Sequence, residues 1–552
     1  MHEPGRDGEI MYDVAIIGGG VVGCAIAREL SRYHLRTVLL ERFAEVGFGT
    51  TKTNSGIIHA GQQTTPGTLK GLLEVRGNAM FDQLQRELGF GFRRCGELVV
   101  ASTAEEMASL ERMKADGEAK GVPGLEMWGA QRLRREEPNL SLHLVGALFA
   151  PSAGVINPYE FAFALAECAV QNGVELRVEH EVQSIALRDG GGFRIHAKIP
   201  SGPGAVPSGP GAVPSGPGAV PSGPGAVQAV PDAASATCVD VEARFIINAA
   251  GVHADKVAAM VGADDFTIRP RRGEEYLLDR RLEGIVTRLI FPVPTPASKG
   301  ILIIPTFDGT LMVGPTAHDQ DDRFNVPTTT EGSEEVFATV RRLCPSLDAR
   351  ATIAEFAGLR AVSDTGDFII GPSRVPGFFH VAGIQSPGLT ASPAIAVHVV
   401  ELVGRAGLPL VEHDGFNPHV APPARFATQP HEVRQALVEA DPRFGRLVCR
   451  CELVTEAEVH QAVDHGARTL DGVKFRTRAG MGRCQGGFCT TRVMQILSRR
   501  LGVPFHEVTK RGAGSWLVIP MAEDREAAMT EAGATTGDPA AGATEEAPCS
   551  DA

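Results

Sequence analysis

The chain has 552 residues, of which 43% are hydrophobic and 22% are charged, as in an ordinary globular protein. This length exceeds what one hydrophobic core supports, and we expect roughly two to four domains. The net charge is −13, and residues 523–552 account for −7 of it because they contain eight acidic residues and one arginine. The rest of the chain is mildly acidic and offers no basic face, which argues against nucleic-acid binding.

No apolar run in the sequence is long enough to cross a bilayer, so we expect no integral membrane segment. Residues 1–9 are polar and lack the apolar core of a secretion signal. We therefore predict a cytoplasmic protein, with peripheral membrane association through a partner as the alternative.

The N-terminal part of the chain has the pattern of a strand, a helix and a second strand. Tyr12–Gly18 is a short apolar run that leads into a glycine turn, and Val22–Tyr33 has helical periodicity. Thr37–Leu40 is a second apolar strand that ends at Glu41. This order predicts the first βαβ unit of a doubly wound, mostly parallel sheet.

The turn after the first strand has the spacing Gly18-x-Gly20-x-x-Gly23, which predicts a loop that binds a dinucleotide. Gly18 permits the tight turn, Gly20 lets the backbone approach a pyrophosphate, and Gly23 packs the helix against the strand. The helix N-terminus adds N–H groups that favour the negative charge. Glu41 lies 23 residues after Gly18, where a carboxylate can bind ribose hydroxyls. This pattern fits both NAD and FAD.

Three further segments favour FAD over NAD. The polar loop Gly49–Gly56 consists mostly of small residues and suits the ribityl chain and the flavin ring. Asn248–Gly251 ends a strand with a glycine that permits close approach, and Gly383–Pro393 places a glycine-rich turn before a helix. The N–H groups of that helix are expected to face the flavin pyrimidine. Besides the three turn glycines, the predicted cofactor-binding residues are Glu41, Thr51, Asn54, Ser55, Gly56, Gly251, Gly383, Gly388, Leu389 and Thr390.

The middle of the chain predicts antiparallel strands and a long insertion. Asn157–Asn172 is interpreted as a helix, and Phe193–Ile199 is one of the strands that follow it. The unit PSGPGAV then occurs four times in residues 200–227, and Pro and Gly in every unit exclude a helix. Because the repeat joins Phe193–Ile199 to Val239–Ala249, we interpret it as an expanded hairpin loop without a function of its own. Thr267–Met312 alternates like further antiparallel strands.

Four cysteines form two close pairs near the C-terminus, Cys449-x-Cys451 and Cys484-x₄-Cys489. In a chain without a secretion signal, such pairs favour metal ligation over disulfides. Four thiolates can hold a tetrahedral zinc ion or a 2Fe–2S cluster, and neither pair has the two-residue spacer usual in zinc ribbons. The pairs lie in a predicted helical segment between a proline-rich linker, Pro418–Pro430, and an acidic tail that we expect to be disordered.

Several of these segments together resemble the glutathione-reductase-like flavoproteins of the D-amino acid oxidase superfamily. Asn54–Gly61 and Thr65–Lys70 are similar to L-2-hydroxyglutarate dehydrogenases and to the glycerol-3-phosphate oxidase/dehydrogenase group. Four further segments look closer to the second group: Arg271–Tyr276, Lys299–Pro305, Val313–Thr316 and Ser386–Ser392. The resemblance covers roughly residues 10 to 405.

The resemblance implies an alcohol-oxidising site in which the residue that matches His59 is the base beside the flavin. The implied substrate-binding residues are those that match Lys299, Arg360 and Ser386. Physical chemistry agrees with these roles, because hydride transfer from an alcohol needs a group that takes the hydroxyl proton, and an anionic substrate needs cations. Arg271 and Arg272 are further candidates for binding the anion, although a charged strand edge explains them as well.

Three of the four implied residues also have a structural interpretation. A histidine after two isoleucines, as at His59, is usually a buried residue with satisfied hydrogen bonds. Arg360 can pair with Glu355 or Asp364 instead of a substrate, and Lys299 follows a proline-rich stretch where a solvated lysine is expected. The sequence leaves these alternatives open.

Residues 446–510 resemble the 2Fe–2S domain of the bacterioferritin-associated-ferredoxin type, which also occurs in the A subunit of anaerobic glycerol-3-phosphate dehydrogenase. The segments CRC and RTRAGMGRCQGGFC carry the match. The resemblance implies a 2Fe–2S cluster on the four cysteines, with zinc as the alternative. A centre that accepts one electron at a time beside a two-electron flavin favours a dehydrogenase that passes electrons to a partner protein, a companion subunit or a quinone rather than directly to oxygen.

We therefore expect an α/β protein with a glutathione-reductase-like FAD-binding Rossmann domain, an interleaved antiparallel-sheet substrate domain and a small α-helical 2Fe–2S domain. The predicted ranges are 10–80, 146–252 and 356–410 for the FAD domain, 81–145 and 253–355 for the substrate domain, 411–445 for a linker, 446–520 for the 2Fe–2S domain and 521–552 for the acidic tail. The predicted reaction is oxidation of sn-glycerol 3-phosphate to dihydroxyacetone phosphate. The alternatives are L-2-hydroxyglutarate or another 2-hydroxy or amino acid as substrate, and a noncatalytic electron-transfer subunit.

Overall fold

The computed structural model describes residues 11–200, 237–294 and 299–520. The PSGPGAV repeat from residue 201 onward and the acidic tail, 521–552, lie outside the described residues. Within the described ranges, no helix is both long enough and apolar enough to cross a membrane.

The secondary structure of the described residues alternates between strands and helices over most of the chain. The strands are β1 Met11–Ile17, β2 Thr37–Leu40, β3 Ile57–Ile58, β4 Phe92–Arg94, β5 Glu97–Ala101, β6 Glu126–Gly129, β7 Gly146–Ala150, β8 Gly154–Ile156, β9 Glu175–Arg177, β10 Glu181–Leu187, β11 Phe193–Ile199, β12 Thr237–Asn248, β13 Ile268–Leu278, β14 Leu289–Pro292, β15 Leu302–Pro305, β16 Leu311–Gly314, β17 His318–Asp319, β18 Thr352–Ser363, β19 Ile369–Pro372, β20 Phe378–Ala382, β21 Leu447–Cys449 and β22 Val454–Thr455. The α-helices are α1 Val21–Leu30, α2 Leu69–Leu88, α3 Ala104–Ala119, α4 Ala130–Glu136, α5 Pro158–Gln171, α6 Ala254–Ala259, α7 Thr330–Leu343, α8 Gly388–Arg405, α9 His431–Ala440, α10 Glu456–Asp464, α11 Leu470–Thr477 and α12 Thr490–Leu501.

The first sheet is the doubly wound sheet that the sequence predicts. Its strands run in the order β10-β11-β12-β1-β2-β9, with β20 beside β12 and β19 beside β20. β1 pairs in parallel with both β2 and β12, and all four residues of β2 are buried. Such continuous burial is expected for parallel strands that are covered on both faces. Helix α1, which follows the glycine turn, packs against both α5 and α8.

Helix α8 begins earlier than the sequence indicates. The sequence pattern extends the glycine-rich turn to Pro393, whereas α8 begins at Gly388 and contains this proline. A proline inside a helix cannot donate a hydrogen bond to the carbonyl four residues before it. Here the hydroxyl of Ser392 donates to that carbonyl, the oxygen of Leu389, at 2.9 Å. The proline is therefore tolerated, and the helix N-terminus lies at Gly388.

The second sheet is built from two separate stretches of the chain. Its order is β17-β13-β16-β15-β14-β5-β7-β6, and β18 pairs along β13. In sequence, strands β5, β6 and β7 lie between β2 and β9 of the first sheet. Strands β13 to β18 lie between β12 and β19 of the first sheet. The two stretches meet where β5 and β14 pair in parallel. This interleaving agrees with the expected fold class, and the exact domain limits stay a prediction.

Strands β11 and β12 flank the repeat insertion. They pair antiparallel, with Phe193 opposite Ala243 and Ile199 opposite Thr237. The ends that lead into and out of the insertion are therefore neighbours, as the hairpin interpretation of the sequence requires.

The C-terminal part of the described chain is a small helical module formed by α10, α11, α12 and the β21–β22 pair. Thr455 and Glu458 form a reciprocal capping box at the start of α10. The predicted linker, 411–445, is not extended throughout, because it contains helix α9. The α9 sequence HEVRQALVEA has no internal proline or glycine and consists largely of good helix formers.

A network of buried charges attaches this module to the rest of the protein. Arg478 of the module donates hydrogen bonds to Asp308 at 2.5 Å, to Glu452 at 2.8 Å and to the Tyr159 hydroxyl at 3.2 Å. Burial raises the pKa of Tyr159 to about 12, so its hydroxyl stays protonated. Asp308 lies in the turn between β15 and β16, so the module is anchored on the second sheet. Removing one partner of such a buried network leaves uncompensated charge.

We expect Arg478→Met to lower the free energy of unfolding of the module by roughly 3 kcal/mol, because Asp308 and Glu452 lose their most buried counter-ion. The more exposed Arg425 and Arg280 still pair with them, at 3.1 Å and 3.4 Å. The matched control is Arg443→Met, whose ion pair with Asp441 is 43% exposed on the arginine side chain and is worth about 1 kcal/mol or less. Urea unfolding of the cofactor-loaded protein, followed by circular dichroism and by cluster absorbance, measures both. Equal midpoints for the two variants would contradict the anchoring role.

Candidate active site and cluster site

A cavity of about 810 Å³ lies where the glycine turn, the 49–59 loop, β13, β18 and the turn before α8 meet. It brings together most of the residues singled out in the sequence: Gly18, Gly20, Glu41, Thr51, Asn54, Ser55, His59, Gly251, Lys299, Arg360, Ser386, Gly388 and Leu389. Four predicted residues lie behind the cavity wall: Gly23, Gly56, Gly383 and Thr390. Three of these four residues, Gly23, Gly56 and Thr390, act by packing or hydrogen bonding instead of facing the cavity.

The glycine turn has the backbone geometry that a bound pyrophosphate requires. A Cβ atom at Gly23 would lie 1.9 Å from the carbonyl oxygen of Gly18, so helix and strand approach as closely as they can. Gly18 has φ +108°, which disfavours any other residue. A Cβ atom at Gly20 would have only the Thr51 hydroxyl within 4 Å, at 3.5 Å. Because Gly20 lacks a side chain, the space next to its backbone belongs to the cavity and is open to a ligand. These features fit a dinucleotide phosphate.

Glu41 closes the end of this binding region at the predicted ribose position. Its Oε2 accepts a hydrogen bond from the Gly19 N–H at 2.7 Å, and its Oε1 accepts one from the Phe43 N–H at 2.9 Å. Burial raises the pKa of this carboxyl, and the two backbone bonds oppose that change. Each oxygen retains a lone pair, so the carboxylate can also accept hydrogen bonds from ribose hydroxyls.

The 49–56 loop is held by its own side chains. Asn54 donates to the Thr51 carbonyl at 2.7 Å and accepts from the Gly56 N–H at 2.7 Å. The Thr51 hydroxyl accepts from the Val21 N–H at 3.0 Å and thereby ties the loop to the start of α1. A Cβ at Gly56 would lie 2.5 Å from the Ile156 carbonyl oxygen. Asn54 and Gly56 therefore shape the loop, which leaves its backbone and Ser55 to face a flavin.

His59 lies at the inner end of the cavity and is 8% exposed. Its backbone N–H donates to the Thr390 hydroxyl at 3.0 Å, which explains why Thr390 is behind the wall. Its Nε2 lies 3.5 Å from the hydroxyl of Ser386. Its Nδ1 has no hydrogen-bond partner among the described residues. The interpretation of a buried histidine with satisfied hydrogen bonds therefore finds no support in the structure.

The two predicted substrate cations are both free of ion pairs within the described residues. Arg360 is partly buried, and its Nη1 donates to the Thr316 carbonyl at 3.2 Å. The sequence alternatives fail, because Glu355 accepts from Thr328 at 2.9 Å and Asp364 accepts from residue 267 at 3.1 Å. The Lys299 ammonium is buried and has no hydrogen-bond partner in the described part of the chain.

The neighbouring arginines are already engaged. Arg271 pairs with Asp319 at 2.5 Å, and Arg272 pairs with Glu274 at 3.2 Å. The sequence makes both arginines candidates for binding the anionic substrate. Their ion pairs make them weaker candidates than Arg360.

Glu275 lines the cavity and was not recognised in the sequence. Burial raises the pKa of its carboxyl to about 7, although a hydrogen bond from Ser55 and the charge of Arg360 oppose the shift. Its second oxygen has no partner among the described residues. The signal was present, because Arg271, Gly273 and Glu275 alternate along β13 and all line the cavity. A second missed carboxylate, Glu97, lies on the other side of His59.

The four cysteines come together as two pairs. The sulfur atoms of Cys451 and Cys484 are 3.5 Å apart, and the side chains of Cys449 and Cys489 are also close enough to interact. Each iron of a 2Fe–2S cluster binds two thiolates, and a mononuclear zinc ion binds four ligands. The two close pairs supply the thiolates that the two irons of such a cluster need.

Comparison with known proteins agrees with both sites. Residues 13–402 match the FAD dependent oxidoreductase family (DAO), and residues 447–499 match the BFD-like [2Fe-2S] binding domain. A glycerol 3-phosphate dehydrogenase of Caloramator mitchellensis is 40% identical over 92% of this chain and 98% of its own length. An L-2-hydroxyglutarate dehydrogenase of Escherichia coli K12 is 28% identical over 71% of this chain and 93% of its own length.

A solved structure agrees with the fold and with the cofactor. The dithionite-reduced L-alpha-glycerophosphate oxidase from Mycoplasma pneumoniae, with FAD bound, superposes with a TM-score of 0.64 and 29% identity. The match covers 74% of this chain and 98% of that structure. The glycine turn, Glu41 and the paired cysteines thus have the surroundings that the two cofactors need. The chain belongs to the FAD-dependent oxidoreductase family, and it carries a C-terminal 2Fe–2S-binding domain.

Proposed function

We propose that the protein is a dehydrogenase that oxidises sn-glycerol 3-phosphate to dihydroxyacetone phosphate and passes the electrons on through its 2Fe–2S domain. The observation that carries this proposal is the content of one cavity. It is lined by His59, by Ser386, whose hydroxyl lies 3.5 Å from the ring Nε2, and by two cations without ion pairs among the described residues. The 40% identical relative that covers nearly the whole chain supports the same substrate.

The residues of the cavity divide the work of an alcohol oxidation. FAD, when bound, supplies the acceptor for the hydride that leaves the substrate carbon. His59 Nε2 accepts the hydroxyl proton, because hydride departure leaves positive charge on carbon unless that proton leaves too. Arg360 and Lys299 bind the phosphate, and burial strengthens their attraction for it. Ser386 hydrogen-bonds the reacting oxygen and keeps it within reach of His59.

Two features favour a phosphate over the dicarboxylate of the L-2-hydroxyglutarate alternative. A phosphate has two negative charges on one group, which suits the cations Arg360 and Lys299. Glu275 adds a carboxyl to the same cavity, and its ionised form repels a second carboxylate of a substrate but accepts a hydrogen bond from a hydroxyl. The alternative of a noncatalytic electron carrier leaves the base and the unpaired cations without a role.

Substrate bleaching of the flavin under anaerobic conditions tests the proposal. We expect sn-glycerol 3-phosphate to bleach the FAD- and cluster-loaded protein, and His59→Ala to slow bleaching by ~10²-fold or more because the proton acceptor is lost. Stopped-flow absorbance measures the rate, and His431→Ala on the exposed start of α9 is the matched control. Bleaching by L-2-hydroxyglutarate but not by glycerol 3-phosphate would overturn the proposed substrate. An unchanged bleaching rate in His59→Ala would exclude His59 as the base.

The surface around the cluster supports an electron-acceptor protein as the partner. Cys451 is exposed, Phe488 is 78% exposed and Leu453 is 43% exposed, so apolar side chains surround an accessible edge of the site. The segments 446–453 and 480–492 contain four arginines and a single acidic residue, Glu452. Two of the arginines pair with acidic residues outside these segments, and Arg450 and Arg492 have no ion pair among the described residues. We propose that an acidic one-electron carrier docks here. The expectations of a cytoplasmic protein and of membrane association only through such a partner stay predictions.

Charge reversal tests this docking face. We expect the substrate-reduced enzyme to reduce the acidic haem protein cytochrome b5 about tenfold more slowly when Arg450 and Arg492 are replaced by Glu, because electrostatic steering is lost. The variant should instead reduce the basic haem protein cytochrome c faster than the wild-type protein does. Both changes in rate should become smaller in high salt. Arg112→Glu on the exposed face of α3 is the control. If the wild-type protein, the double variant and the control reduce each cytochrome at the same rate, the proposed docking face is contradicted.

A further inference from the structure

A buried carboxylate lies directly behind the proposed base. Glu97 is fully buried at the start of β5, and its Oε2 lies 3.7 Å from Nδ1 of His59. Neither of these two atoms has a hydrogen-bond partner among the described residues. The other ring nitrogen, Nε2, faces Ser386 and the cavity. The imidazole therefore lies between a carboxylate on one side and the substrate position on the other.

The orientation of Glu97 is fixed by its neighbours. Its Oε1 accepts hydrogen bonds from the side-chain amides of Gln62, at 2.6 Å, and Gln63. Both donors act on the same oxygen, so Oε2 is left toward the histidine. The backbone of Glu97 is held on both sides, because β5 pairs with Leu289 of β14 and with Ala150 of β7. The carboxylate has little freedom to turn elsewhere.

A purely structural role explains this arrangement poorly. A carboxylate with no exposed surface is costly to bury unless its oxygens are paired. The two glutamine amides satisfy one oxygen only, and the other oxygen faces His59 Nδ1 across 3.7 Å. A small rotation of the ring closes this gap to a hydrogen bond, and such contacts often tighten only when substrate is bound.

We propose that Glu97 is the positioning residue of the base. It accepts a hydrogen bond from Nδ1–H, which leaves the Nε2 lone pair directed at the substrate hydroxyl, and it stabilises the imidazolium that forms when Nε2 takes the proton. The O–H bond of the substrate breaks, the N–H bond at Nε2 forms, and the hydride leaves to FAD, so charge and electrons balance. This role rests on the proposed function of His59.

The other groups against the imidazole do not supply this charge. The ring of Phe291 packs at 5.8 Å between centroids, and Thr390 and Ser386 contribute only hydroxyls. Lys299 lines the same cavity and is cationic, so it opposes an imidazolium rather than stabilising it. Among these neighbours, Glu97 alone can favour the protonated histidine.

The test is the pH dependence of anaerobic flavin reduction by sn-glycerol 3-phosphate in Glu97→Gln. We expect the rate at neutral pH to fall by ~10- to 100-fold. The acid limb of the profile should move to lower pH, because the variant lacks the charge that favours protonated His59. Substrate affinity and the flavin spectrum should change little. Glu97→Asp, which keeps the charge one methylene further away, should keep the limb near its wild-type position while the rate falls.

Glu74→Gln is the matched control, because Glu74 is also fully buried and accepts a hydrogen bond from Thr64 at 2.6 Å. It should leave the position of the acid limb unchanged. A Glu97→Gln profile that coincides with wild type would overturn the inference. If that variant does not fold, a Glu97→Asp protein with wild-type rate and profile overturns it equally. Wild-type protein that the substrate fails to bleach would instead reject the proposed function.

Discussion

The carbonyl oxygen of Gly18 and the α-carbon of Gly23 approach so closely that a side chain on Gly23 would overlap that oxygen. This contact places the start of α1 directly at the end of β1, where its N–H groups and positive dipole end face the cavity. Thr51 ties the next loop to the same helix start, and Glu41 binds the backbone of the turn. The FAD-binding region is thus built outward from one backbone contact that only glycine permits.

The catalytic side of the cavity depends on the packing of the two sheets. Arg360 and Glu275 come from β18 and β13, Glu97 comes from β5, and His59 follows β3. None of these strands holds the site by itself, so the proposed base, the carboxylate proposed to position it and the cations meet only in the complete fold. Two of the groups are cations that lack an ion pair within the described residues, an arrangement that an anionic substrate stabilises.

Local patterns predicted local features of this protein. The glycine spacing indicated the turn, and the runs Thr37–Leu40 and Phe193–Ile199 indicated β2 and β11, because each depends on residues close in sequence. Glu97 and Glu275 were missed because their significance comes from contacts with residues far along the chain. His59 precedes Glu97 by 38 residues, and no periodicity links them. The predicted start of helix α8 was wrong because a serine side chain compensates for the proline.

The C-terminal module gives the flavin a second role, as a donor to a one-electron centre. Arg478 joins the cysteine-bearing module to the turn after β15 and to Tyr159 at the start of α5, so the cluster site is fixed relative to the cavity. The exposed edge at Cys451 then faces the outside of the molecule. The proposed electron path runs from the substrate through the flavin to the cluster.

Anaerobic addition of sn-glycerol 3-phosphate to the fully loaded protein, with flavin absorbance and electron paramagnetic resonance read on the same samples, tests that path most directly. We expect the flavin to bleach and the signal of a reduced 2Fe–2S cluster to appear in those samples. Bleaching of the flavin while a chemically reducible cluster stays oxidised would contradict it.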